Sequence, residues 1–114
     1  MKIANVAKID AYLVETFAYF LQKLKATPDG DGNLLDHSLI LYGSGLGDAN
    51  VHTNHELPTA MLGGGAGRLK GGRHLKYAKD TPLNNLLVSM LEMGGVRTEN
   101  FGDATGELEH LTGV

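Results

Sequence analysis

The stretch Ser38-Leu39-Ile40-Leu41-Tyr42, broken off by Gly43, decides how the rest of the chain is read. It is a continuous apolar run of strand length without polar alternation. Such a run suits a strand covered on both faces, as in a parallel sheet between helices. Leu57-Pro58-Thr59-Ala60-Met61-Leu62 offers a second strand, closed by Gly63-Gly64-Gly65. On the N-terminal side, Val6, Ile9, Leu13, Phe17, Phe20 and Leu24 recur at steps of three and four, which predicts an amphipathic helix wide enough to pack on a sheet. Asn5 is the expected N-cap, and Lys23 and Lys25 complement the C-terminal dipole. Thr27-Pro28-Asp29-Gly30-Asp31-Gly32 ends the helix with turn chemistry. Its alternating acids resemble a calcium loop, but no bidentate Glu follows at the required spacing.

Beyond the second strand, residues 66–79 read as a basic, glycine-rich loop or loose hairpin. Thr81 as cap and Pro82 as first helical residue predict a second helix with Leu83, Leu86, Leu87, Met90, Leu91 and Met93 on its apolar side, ended by Gly94-Gly95. The tail has single apolar anchors at Phe101, Leu108 and Leu111. The expected fold is therefore α/β, a partial three-layer piece in which a small, mostly parallel sheet is flanked by helices, spanning 1–114 as a single domain. Two strands leave a buried-type strand with an open edge. That predicts a homo-oligomer, with the helix stripe or a sheet edge crossing the interface, or membership of a larger protein.

Composition narrows the function classes. The chain has 114 residues, 42% hydrophobic and 20% charged, which is ordinary for a globular domain. The absence of cysteine removes disulfides, thiolate metal sites and cysteine nucleophiles. A net charge of −3 argues against a nucleic-acid partner, and no apolar run reaches the roughly 18 residues of a membrane span. No export signal is read at the N-terminus.

The polar segment between the strands is Gly43-Ser44-Gly45-Leu46-Gly47-Asp48-Ala49-Asn50-Val51-His52-Thr53-Asn54-His55-Glu56. It begins where a strand ends, the place where open α/β sheets bind ligands. Asp48, His52 and His55 are ligand types suited to zinc, manganese or iron; the other reading is a solvated loop whose histidines cap backbone groups. The glycines do not make a nucleotide cradle, because no amphipathic helix opens after them. Ser44 is a weak nucleophile candidate, since Tyr42 and Leu46 stand where an elbow needs glycine. In the basic segment, Arg73 and His74 lie among cations able to bind a phosphate or sulfate group, or merely to balance nearby acids. His37, beside Asp36, reads as a turn residue, and His110 carries no spacing signal.

Gly30-Asp31-Gly32-Asn33-Leu34-Leu35-Asp36, Leu41-Tyr42-Gly43-Ser44, Leu57-Pro58, Gly71-Gly72-Arg73-His74 and Phe101-Gly102-Asp103-Ala104-Thr105-Gly106 together resemble the C-terminal part of the bacterial HXXSHH-motif family, from Ile9 to Leu111. The HXXSHH segment itself is not in this sequence, so the resemblance implies a fragment or a shortened relative, and relatives that are typically exported. That family is more distantly similar to the alkaline phosphatase and sulfatase superfamily. The resemblance implies Asp48 and His55 as metal positions, with His52 next, while the superfamily's nucleophile lies upstream.

Two functions follow as expectations. The first is a metal-assisted hydrolase of phosphate, sulfate or carboxylic esters: Asp48, His52 and His55 hold a divalent metal, zinc by preference, that brings a bound water to a pKa of about 7. Glu56 is its general base and Arg73 with His74 stabilise the oxyanion; Ser44 is the metal-free variant's nucleophile. The second is a non-catalytic, self-associating binding module left from a truncated alkaline-phosphatase-like fold.

Overall fold

The computed structural model describes residues 2–112. A long helix, α1 (Lys2–Ala26), leads into a minimal hairpin of β1 (Pro28–Asp29) and β2 (Gly32–Asn33). A turn over 34–37 feeds β3 (Ile40–Gly43), and β4 (Thr59–Leu62) follows the polar segment. A single 3-10 turn (Gly65–Gly67), irregular chain, and α2 (Leu83–Met93) complete the regular structure.

Both strand pairs are antiparallel. Pro28 pairs with Asn33 in the first, and Ile40 with Leu62 and Gly43 with Thr59 in the second. The expected mostly parallel sheet, and with it the three-layer α/β class, is therefore corrected to two separate two-stranded antiparallel sheets with two helices. The physical reason lies between β3 and β4. A parallel crossover needs a long connection, usually helical, that carries the chain back to the starting edge. Here the connection has no helix and folds on itself: Gly47 N–H donates to the Thr53 carbonyl at 2.9 Å, and Thr53 N–H to the Asp48 carbonyl at 3.1 Å. The chain consequently returns along the neighbouring line in the opposite direction. An unbroken apolar run gives a strand's length and apolarity; it carries no information about its direction.

The β3–β4 pair is locked to the turn that precedes it. Gly64 N–H donates to the Leu35 carbonyl at 3.0 Å, Gly65 N–H to Ser38 at 2.9 Å and Ala66 N–H to Asp36 at 2.9 Å. This close backbone approach requires glycine at 63, whose φ of +94° is left-handed and whose missing side chain would collide with the Ser38 carbonyl.

α2 begins one residue later than expected. Pro82 is the N-cap, with φ −62° and ψ 136°, while Thr81 spends its hydroxyl on the Ala78 carbonyl at 2.7 Å. α1 extends N-terminal to Asn5, which is an interior residue rather than a cap.

The core is small. Among the described residues only Leu86 (5% exposed) and Leu111 (7%) are buried apolar side chains, joined by Asn85 and Ser89. α2's buried face is thus partly polar, and the polar atoms fasten the tail. The Asn85 amide donates to Thr105 Oγ1 at 3.0 Å and accepts from Thr105 N–H at 2.9 Å. Ser89 Oγ donates to the Asn85 carbonyl at 3.0 Å and accepts Leu108 N–H at 2.8 Å. The half-buried Asn84 adds a bond to Asp103 at 2.7 Å.

Candidate functional site

In the segment joining β3 and β4, the side chains of Ser44, Asp48 and Thr53 shape the loop. Ser44 N–H donates to the Pro58 carbonyl at 3.1 Å, and Ser44 Oγ accepts Leu46 N–H at 3.1 Å. Asp48 Oδ1 accepts Asn50 N–H at 2.8 Å, a local Asx turn, and Asp48 N–H donates to Thr53 Oγ1 at 3.1 Å. His52 and Glu56 sit at left-handed backbone angles, φ 57° and 51°, where the chain reverses. A side chain at Gly47 would overlap the His55 carbonyl, so His55 is held through its backbone while its ring is exposed.

The sequence singles out Asp48, His52 and His55 as ligands. Among the described residues no three His, Asp or Glu side chains are gathered as a metal ion requires. The donor set present therefore does not fit the metal that the resemblance implies, and Asp48 already satisfies a backbone donor. Glu56 is exposed beside them. No side-chain base is hydrogen-bonded to Ser44 among the described residues, and a serine hydroxyl without a base is a weak nucleophile.

Arg73 is engaged with backbone. Its Nε and one terminal nitrogen donate to the Lys70 carbonyl at 3.1 and 3.0 Å; the terminal nitrogens also reach the His110 carbonyl at 2.6 Å and the Leu111 carbonyl at 2.7 Å. The guanidinium fork thus ties the 70s loop to the tail, and His74 next to it is exposed. Tyr77 repeats the device, donating to the Glu109 carbonyl at 2.8 Å, and burial pushes its phenol pKa up. Arg68 reaches the Met93 carbonyl at the end of α2. A cleft of about 800 Å³ lies between that helix end and the tail, with Glu92, Arg97 and Glu107 on its walls. Arg97 pairs with Glu92 at 3.3 Å.

His37 is more than a turn residue. Its Nδ1 lies 2.8 Å from Asp29 Oδ2 and its Nε2 3.1 Å from Asp31 Oδ1. The hydrogen bond to Asp29 is the largest cause of a raised imidazole pKa; partial burial opposes it, and the charges of Asp29 and Asp31 add to it. The two ring nitrogens point away from each other, so the three side chains do not converge on one point. They form an ion-pair clamp across the hairpin rather than a metal cradle.

An exposed apolar stripe runs along α1. The stripe expected to pack on a sheet is covered only near its C-terminal end. Phe17, Leu21 and Leu24 are half-buried, with Phe17 stacked on Tyr42 at 4.3 Å and 16°. No residue of α1 is buried, and Val6, Ile9 (58% exposed), Leu13 (50%) and Phe20 face solvent. Among the described residues no helix is long and apolar enough to cross a membrane. No protein-family model matches the chain, and no curated protein or solved structure matches it.

Proposed function

We propose that this chain is a non-catalytic, self-associating binding module whose recognition element is α1. The uncovered apolar stripe of α1 is the observation that carries this reading. The accessible surface agrees with it: 8672 Å², against roughly 6,100 Å² expected for a compact monomer of this mass. The radius of gyration, 15.9 Å, likewise exceeds the roughly 13 Å of a compact chain of this length.

Kinship with the C-terminal part of the HXXSHH-motif family belongs to the same proposal, resting on the quoted segments, and makes the module a remnant of a larger fold. The ester-hydrolase reading draws on residue types and on the resemblance; among the described residues, no hydrogen bond joins the side chains of Ser44, Asp48, His52, His55, Glu56, Arg73 and His74 to one another. The test is the mass in solution by light scattering at micromolar concentration. At least twice the 12.2 kDa of one chain is expected; a monomer refutes the proposal.

A further inference from the structure

We infer that the His37 clamp is a pH-operated hinge that fixes the direction in which α1 leaves the rest of the chain. It works within one chain, whatever covers the helix. α1 ends at Ala26 and passes almost directly into β1. β1 is tied to β2 by two residue pairs, extended by the Leu34 N–H donating to the Thr27 carbonyl at 3.0 Å. So short a pairing is marginal by itself. The turn after β2 is firmly seated: the carbonyls of Leu35, Asp36 and Ser38 accept from the backbone N–H groups of residues 64–66. β2 joins this turn through the Asn33 and Asp36 side chains, each accepting the other's N–H, and through His37 N–H donating to the Asn33 carbonyl. For β1 and the loop at 30–31, the His37 ring is, among the described residues, the one side chain that bonds them to the turn.

The other hold on α1 is the stack of Phe17 on Tyr42. A rod held at two points has a direction, and held at one it pivots. With the ring protonated, clamp and stack both hold. With the ring neutral, one carboxylate loses its donor and faces a nitrogen lone pair instead. Exposed ion pairs are individually weak, so their loss leaves the β3–β4 pair and α2 in place. The helix amplifies it: Lys2 lies roughly 22 Å along the axis from Phe17, and a swing of about 10° there displaces it by roughly 4 Å. No other charge competes for the ring. The Asp36 carboxylate is turned to the Asn33 N–H, and residues 64–66 are Gly, Gly and Ala. On α1, Lys23 lies over the Tyr19 ring at 5.1 Å, and among the described residues neither it nor Lys25 pairs with Asp29 or Asp31. The clamp raises the imidazole pKa, so the hinge is locked below about pH 6.5 and released as pH rises through the folded value.

The chain has no cysteine, so nitroxide labels go only where Lys8→Cys and Ala60→Cys place them, one on α1 and one on β4. Pulsed dipolar EPR reads the distance between them, with labelled chain diluted into excess unlabelled chain so that only distances within one chain count. At about pH 5.5 a single narrow distance is expected, and at about pH 9 the narrow peak should be lost to a broad distribution. Adding His37→Ala should leave the distribution broad at both pH values, although His52, His55, His74 and His110 remain to titrate. Adding Asp29→Asn, which removes the partner with the largest effect on the ring, should move the midpoint of broadening to lower pH. A distribution that is the same at both pH values without these changes overturns the hinge. So does a pH response that survives His37→Ala, or a midpoint unmoved by Asp29→Asn. Circular dichroism checks the fold of each variant, and if His37→Ala unfolds, the Asp29→Asn midpoint decides.

Discussion

At His37 both ring nitrogens meet carboxylates, and a neutral imidazole has only one N–H to offer. The protonated ring satisfies Asp29 and Asp31 together, which is why its pKa is raised above 6.5. The neighbouring Asp36 turns its carboxylate to the Asn33 N–H at 3.2 Å instead. Since the folded pKa lies above the unfolded value, the clamp's contribution is complete below about pH 6.5 and is lost as pH rises through the folded pKa. An NMR titration should place the His37 midpoint above 6.5 and move it down in Asp29→Asn, the partner with the largest effect. A midpoint at or below 6.5 in the wild type contradicts the clamp. The turn was legible in Asp29-Gly30-Asp31-Gly32, but its pairing as a two-stranded hairpin was not. The histidine's part was not, because it depends on the 34–37 turn folding a residue back across the hairpin. The loop residues show the converse: Asp48, His52 and His55 are close in sequence, yet Asp48 closes an Asx turn and the backbone is left-handed at His52 and Glu56, so closeness along the chain does not gather the side chains.

Among the elements, α2 shows what periodicity captures and what it misses. The spacing of Leu83, Leu86, Leu87, Met90 and Leu91 located the helix within a residue or two. The face it buries is nevertheless shared with Asn85 and Ser89, since the partner is the irregular tail, whose backbone donors need acceptors. Asn85→Ala leaves Thr105 N–H and Oγ1 without their partner. The expected cost is about 1–3 kcal/mol, read as a lowered denaturation midpoint; Asn84→Ala, which is half-buried and loses a single bond to the Asp103 carboxylate, should cost clearly less. Equal effects at the two positions would contradict the assignment of Asn85 as the tail's anchor. The strands were likewise placed to within two residues while their direction was misread. Direction is set by Gly47 and Thr53 closing the connecting loop, and no strand residue encodes it.

At the scale of the whole molecule, the sequence pattern predicts an open edge on a buried-type strand and an α1 stripe that packs on a sheet, whereas the structure has an α1 without buried residues. The sequence could not show which surface stays open. That depends on where the short β3–β4 pair ends relative to the helix: Tyr42 stacks on Phe17, while Leu13, one turn earlier, is 50% exposed. The central claim is that a second copy covers this half of α1, and amide hydrogen exchange across residues 6–16 tests it most directly. At concentrations well above the dissociation constant these amides should be protected, and dilution or Leu13→Glu should remove the protection while leaving that of α2 unchanged. Exchange of residues 6–16 at the rate of unstructured chain in a dimeric sample, or protection indifferent to dilution into the monomer, would contradict the account.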